Sequence, residues 1–285
     1  MSPLPLSGLS VITVALNLPG PAACARLRDL GASVTKIEPP GGDPFETYCP
    51  SWYARLHESM TVERVDLKSV TGRARLGDLL QHADLFVTAQ RPSALARLGL
   101  SDDILTARYK RLCHVAITGH PAPDDETPGH DLTYLAVHGL LSPPAMPATL
   151  YADMAGAERA VSTALALVIA RERTGRGVHA QAPLEHGARA LAQPLHEGLT
   201  GPGKLLGGGL AGYNVYATRE GWIAVAALEP HFAASLAREL QLETLTIDAL
   251  RERFASETAA HWESWARERD LPIAALRNPS DERPS

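Results

Sequence analysis

Strand-like and helix-like segments alternate through the first half of the 285-residue chain, and this most limits what it can fold into. Leu9–Leu16, Ala32–Glu38, Val62–Leu67, Asp84–Thr88 and Leu112–Thr118 are short apolar runs of strand length. Helical spacing over Ala22–Leu30, Gly72–Gln81 and Ser93–Leu98 separates them. Gly31 reads as the stop of the first helix, and Pro39-Pro40-Gly41-Gly42 reads as a loop. Strands that alternate with helices pair in parallel and are covered on both faces. The expected fold class is therefore α/β, with an open, mostly parallel, doubly wound (Rossmann-like) sheet. Ligands of such sheets sit beyond the carboxyl ends of the strands.

The pattern changes further along. Gly119–Gly129 is a loop rich in proline and acid, and His130–Leu141 has helical spacing. Asp153–Arg173 is the longest helical run, stopped by Gly175 and Gly177, with Asp153 as its expected N-cap. Glycine-rich Lys204–Gly212 precedes two strands, Tyr213–Ala217 and Trp222–Ala227, and three helical segments over Pro230–Leu240, Ile247–Phe254 and Glu257–Arg267. A large α/β domain over residues 1–202 is thus expected to precede a smaller α+β domain of hairpin and helices over 203–285. The polar end Asp281–Ser285 is expected to fray.

Charge narrows the function classes. The formal net charge is −5, and basic residues form no long stripe, which argues against a nucleic-acid partner. Ala160–Ala170, the longest apolar stretch, is too short to span a bilayer, so no membrane partner is expected. No secretory leader is evident in the opening residues. Cys24, Cys49 and Cys113 match no metal or redox spacing and read as reduced thiols, pointing to a cytoplasmic location. His114, His138, His179, His186 and His196 show no ligand spacing either, so no metal site is expected.

Chemistry-bearing residues gather in three separate phrases. Gly129-His130-Asp131 supplies an imidazole beside a carboxylate, Ala152-Asp153-Met154-Ala155-Gly156 a second carboxylate, and Ala227-Leu228-Glu229-Pro230 a third. Moving a proton off and onto carbon needs a base and an acid on opposite sides of that carbon, and His130 with Asp153 offers such a pair. Each has a plainer reading: His130 as a structural histidine near a helix start, Asp153 as a cap, Glu229 as an exposed acid at a helix start. Gly207-Gly208-Gly209 reads as a turn rather than a phosphate cradle.

Longer phrases carry a family resemblance. Pro5-Leu-Ser-Gly-Leu9, Pro19-Gly-Pro21 and Asp29-Leu-Gly-Ala-Ser-Val-Thr-Lys-Ile-Glu-Pro-Pro-Gly-Gly-Asp-Pro44 stand in order near the start. Val65-Asp-Leu-Lys68, Gln90-Arg-Pro-Ser93 and Arg173-Thr-Gly-Arg-Gly177 follow. The chain resembles the class III CoA-transferase family from about Pro5 to about Leu240. Gly129-His-Asp-Leu-Thr-Tyr134, Ala152-Asp-Met-Ala-Gly156 and Ala227-Leu-Glu-Pro-His-Phe232 are most similar to its alpha-methylacyl-CoA racemase branch.

The resemblance implies a racemase or epimerase acting at the α carbon of a branched acyl-CoA. It gives His130 and Asp153 the acid and base roles, through an enolate, and gives Glu229 the orientation of the imidazole. Asp131, Tyr134 and Gly156 take supporting places, and backbone N–H groups at the start of the Asp153 helix are expected to meet the enolate oxygen. Lys36, Arg55, Arg64 and Arg91 are the expected CoA-holding cations. No cofactor is implied beyond the CoA or pantetheine that belongs to the substrate. Asp153 is also the residue through which the transferase branch forms an aspartyl-CoA thioester, so CoA transfer is the alternative reading. A degenerate, non-catalytic thioester binder is a further one. The family's basic phrase before Asp66 is replaced by Leu56-His-Glu-Ser-Met-Thr-Val-Glu-Arg64, which admits a carrier-protein pantetheine thioester as substrate. A homodimer is expected, and the small domain is expected to lack the family's C-terminal return segment, which closes a ring around a second subunit.

Overall fold

The computed structural model describes residues 3–277. The chain divides into two compact units after Ala192, against a boundary expected near Gly203. The division falls within a helix that the sequence reading did not anticipate, because Gly187 and Pro194 interrupt its helical pattern.

The first unit runs β1 (Ser10–Thr13), α1 (Pro19–Asp29), β2 (Ser33–Glu38), α2 (Pro44–Tyr48), α3 (Pro50–Leu56), β3 (Thr61–Arg64) and α4 (Val70–Gln81). It continues with β4 (Leu85–Thr88), α5 (Pro92–Arg97), α6 (Asp102–Arg108), β5 (Cys113–Thr118), α7 (Asp131–Val137), α8 (Tyr151–Thr174), β6 (His179–Pro183) and α9 (Leu184–His196). The strands form one six-stranded sheet in the order β3-β2-β1-β4-β5-β6, with every neighbouring pair parallel. This is the doubly wound order, reversing between β1 and β4.

Both faces of the sheet are covered, which is why its central strands β1, β4 and β5 read as largely apolar runs. On one face, Ala23, Cys24 and Leu27 of α1 and Ala157, Ala160, Val161, Ala164 and Leu167 of α8 pack on Val11, Val34, Leu85, Val87, Val115 and Ile117. On the other, Leu76 and Leu80 of α4, Leu95 of α5 and Leu105 of α6 meet Ile12, Ile37 and Phe86. β6 escaped the sequence reading because it is an edge strand whose first residues, His179-Ala180-Gln181, are only partly buried or exposed.

One of the family-like phrases turns out to be architectural. In Arg173-Thr-Gly-Arg-Gly177, Gly175 ends α8 in the left-handed conformation (φ 72°). A Cβ on Gly177 would stand 2.0 Å from the Leu112 carbonyl oxygen, so only glycine lets this turn lie against the strand-β5 lead-in. Two residues before the phrase, buried Arg171 donates to Asp84 Oδ1 at 2.7 Å, and Asp84 Oδ2 accepts from the Ser10 N–H at 2.8 Å. That chain of bonds ties α8 to the lead-ins of β4 and β1.

The second unit holds a short π-turn over Leu205–Gly209, then β7 (Tyr213–Ala217), β8 (Trp222–Ala226), α10 (Pro230–Leu240), α11 (Ile247–Phe254), α12 (Ala259–Arg267) and β9 (Ile273–Ala275). β7, β8 and β9 form a three-stranded antiparallel sheet. Its core gathers Tyr216, Ile223, Val225, Leu236, Leu250, Phe254 and Trp262. The Trp262 indole N–H donates to the Phe254 carbonyl at 2.9 Å, so this buried ring has its polar atom satisfied. The expected fraying of 281–285 concerns residues outside the described range. No helix among the described residues is long and apolar enough to cross a membrane.

Candidate active site

β5 ends at Thr118, and the chain beyond its carboxyl end supplies α7 and α8, which carry the phrases singled out above. His130 is the N-cap residue of α7, in extended backbone, with an exposed side chain. Its main chain is closed locally: the His130 N–H donates to Thr133 Oγ1 at 3.0 Å, and the Thr133 hydroxyl donates to the His130 carbonyl at 2.8 Å. The imidazole itself makes no capping bond.

Asp153 is the third residue of α8, not its cap; Leu150 holds the N-cap position without a side-chain bond. The capping is done instead by Asp131, from the neighbouring helix. Asp131 Oδ1 accepts from the Ala152 N–H at 2.7 Å and from the Asp153 N–H at 3.0 Å. A buried carboxylate that takes two N–H groups at a helix start satisfies donors that have no partner within the helix. The bond also fixes α8 to the residue next to His130. It corrects the expected oxyanion site, since the N–H groups of Ala152 and Asp153 are already engaged.

The cost of this arrangement appears on Asp153. Its carboxyl is pushed up to about 7, first by burial and then by the negative charge of Asp131. Asp131 Oδ2 is buried with no hydrogen-bond partner among the described residues. Asp131→Ala should therefore leave two N–H groups unpaired and destabilise the chain by about 2–4 kcal/mol in chemical denaturation. Asp131→Asn retains an acceptor oxygen and removes the charge, so it should cost much less while lowering the Asp153 pKa. NMR titration of the Asp153 carboxyl would read that shift.

Tyr134 packs beneath. It is 1% exposed, and its ring occupies the space that side chains on Gly119 and Gly129 would fill: a Cβ on either would stand 2.4 Å or 2.6 Å from Tyr134 atoms. Burial pushes the phenol up to about 12; the charges of Asp153 and Asp131 act in the same direction, and Arg91 opposes them. Tyr134, Asp131, Asp153 and Arg91 thus share one electrostatic neighbourhood. Gly156 supports the site sterically, because a Cβ there would lie 2.3 Å from Leu184 Cδ2 and 3.3 Å from Leu184 Cα at the start of α9.

The four expected CoA-holding cations separate into two pairs. Lys36 is fully buried on β2, its ammonium 2.5 Å from Asp43 Oδ2, 3.0 Å from Glu38 Oε1 and 2.8 Å from His57 Nε2. The His57 Nδ1–H donates to the Tyr53 carbonyl at 2.7 Å, which leaves Nε2 to accept from Lys36. Burial, followed by the Lys36 charge, lowers the His57 pKa and keeps that ring neutral. Lys36 is a structural cation with its donors committed, and the expectation that it holds a phosphate is corrected. Arg64 is exposed, yet lies 3.1 Å from Glu46 Oε2 and 3.9 Å from Glu38 Oε2, so its charge is largely answered by acids. Arg91, at the N-cap of α5, and Arg55, on α3, are exposed and pair with no acid among the described residues.

Glu229 belongs to the second unit. It is the exposed N-cap residue of α10 and makes no side-chain capping bond. Away from these residues, the fold also assembles Asp102, His114 and His179, which spacing along the chain did not reveal. His114 and His179 are register partners across β5 and β6, and a parallel pairing between residues so distant in sequence leaves no local signal.

A model of the family described as CoA-transferase family III matches residues 6–283. The chain is 30% identical to an alpha-methylacyl-CoA racemase of Homo sapiens, over 90% of this chain and 74% of that one. It is 26% identical to a succinyl-CoA:glutarate CoA-transferase of Homo sapiens, over 90% and 68%. Its fold is similar to that of a hypothetical protein from Mycobacterium tuberculosis, with a TM-score of 0.83 at 23% identity over 98% of this chain and 85% of the other.

Proposed function

The chain belongs to CoA-transferase family III, and from that premise we propose that it inverts the α carbon of a branched acyl thioester by two-base proton transfer. The observation that carries this reading is the Asp153 carboxyl, pushed up to about 7, on a residue whose backbone N–H donates to Asp131, the neighbour of His130. A carboxyl titrating near neutrality is populated in both protonation states, so it can remove the α proton in one direction and return one in the other. His130 is the opposing group, since an imidazole ring nitrogen can either accept or deliver a proton. One group takes the proton, the charge passes to the thioester oxygen as an enolate, and the other delivers a proton to the opposite face. Arg91 and Arg55 are the cations free to hold the phosphates of CoA or of a carrier-bound pantetheine.

CoA transfer is the second reading, favoured by the half-buried placement of the same Asp153 side chain and by similarity to a CoA-transferase. There the carboxylate attacks the thioester and no α proton moves. Incubation of one epimer of an α-methyl acyl-CoA in deuterium oxide, without an acceptor acid, separates the readings. The expected result is deuterium at the α carbon together with loss of optical purity. No exchange, with acyl transfer that appears only when an acceptor carboxylate is added, would establish the transferase instead. Binding with neither outcome would leave a non-catalytic thioester binder.

A further inference from the structure

We propose that Asp102, His114 and His179 form a binding site for one divalent transition-metal ion of the zinc type, separate from the carboxyl-end site. Asp102 Oδ1 stands 2.9 Å from His114 Nδ1 and 3.2 Å from His179 Nδ1. The two rings are perpendicular, with centroids 5.5 Å apart. Zinc binds imidazole nitrogen and carboxylate oxygen at about 2.0–2.2 Å. At that bond length, adjacent ligands of a four- to six-coordinate ion stand roughly 2.9–3.5 Å apart. The two observed N···O separations fall in this range, so the set needs little rearrangement.

The hydrogen-bond partners around the rings also suit a cation. Each outer ring nitrogen already faces a hydroxyl: His114 Nε2 lies 2.9 Å from Thr88 Oγ1, and His179 Nε2 lies 3.3 Å from Thr106 Oγ1. When Nδ1 takes the metal, the ring proton resides on Nε2, and these hydroxyls can accept it. Such outer partners orient ligating histidines.

Access and selectivity follow from the placement. The side chain of Asp102 is 66% exposed, whereas those of His114 and His179 are 2% and 13% exposed, so the histidines make a floor that an ion reaches from solvent over the carboxylate. Two nitrogens and one oxygen suit zinc, cobalt or nickel and do not suit magnesium or calcium, which prefer oxygen. The other group of similar composition, Glu38, Asp43 and His57, surrounds the Lys36 ammonium, which already supplies its positive charge. His179 opens β6 and His114 is the second residue of β5, so the proposed site lies at the amino ends of these strands. His130 and Asp153 follow the carboxyl end of β5. The metal would therefore tie α6 to the sheet edge and take no part in the proton transfer.

Titration of the full chain with zinc, followed by calorimetry, tests the site. One equivalent is expected to bind, and binding should be lost in Asp102→Asn and in His179→Gln, with each variant checked for native circular dichroism. Thr88→Val should weaken it about 10–100-fold. Should His179→Gln fail to fold, Asp102→Asn, at an exposed position, decides the matter. Cobalt bound to the chain should give a visible d–d band that Asp102→Asn abolishes. The proposal is overturned if the folded chain binds no equivalent of zinc, or if binding survives Asp102→Asn undiminished. Competition by magnesium at equal concentration would overturn the assigned class of ion.

Discussion

His130→Ala is expected to lower deuterium incorporation at the α carbon about 10²–10⁴-fold, the contribution of one positioned acid or base. The stability of the protein should barely change. The imidazole is exposed and makes no capping bond, and the hydrogen bonds that close the start of α7 run between the His130 main chain and Thr133. Removing an exposed side chain of this kind typically shifts stability by no more than about 0.5 kcal/mol. Thermal unfolding and exchange kinetics on the same sample would read both quantities. Exchange that persists at the wild-type rate would remove His130 from the proposed pair. Acyl transfer that persists while exchange is absent even in the wild type would identify the Asp153-centred transferase.

Asp153→Asn should produce opposite effects on activity and stability. Activity is expected to fall by at least about 10²-fold under either chemistry, because Asn neither exchanges a proton nor serves as a carboxylate nucleophile. Stability should rise above neutral pH, and the sign follows from linkage. The folded chain holds the Asp153 carboxyl at about 7, against an ordinary value of 3.8, so between those limits it binds more protons at this residue than the unfolded chain does. This group's contribution to stability is therefore complete below about pH 4 and is lost as the pH rises through about 7. A shift of this size corresponds to roughly 4 kcal/mol at most, and solvent reaching the half-buried carboxylate reduces it to about 1–3 kcal/mol. Asn avoids the loss because it does not ionise. Urea denaturation at pH 5 and pH 8 should show a stability gain for Asp153→Asn that is larger at pH 8. An equal difference at both pH values would mean that burial does not raise this carboxyl, and the proton-transfer reading would lose its main support. A site that costs stability where it is charged is what function commonly requires.

The expected sequence signals differ in how well they carried spatial information. The helices over Pro230–Leu240 and Ile247–Phe254 have the bounds their apolar spacing gives, because each buries one stripe against a local hairpin. β1, β2, β4 and β5 were legible because strands buried on both faces carry mostly apolar residues. β6, α9 and β9 were not, since an edge strand, a helix broken by glycine and proline, and a three-residue strand carry little periodic signal.

The α/β class, the family to which the chain belongs and the residue types available for proton transfer are all written in the linear order of residues. Those follow from local periodicity and from phrases whose order survives in one dimension. Tertiary structure alone decided what each residue is free to do. It set Asp131 beneath the start of α8, where it occupies N–H groups otherwise available to an enolate, and it raised the carboxyl of Asp153, first by burial and then by the Asp131 charge. It buried Lys36 among Glu38, Asp43 and His57, turning an apparent phosphate ligand into a structural ion. It paired His114 with His179 across two parallel strands beside Asp102. Burial, charge proximity and strand register are properties of three-dimensional neighbours, and a linear sequence records such neighbours only where they are also close along the chain.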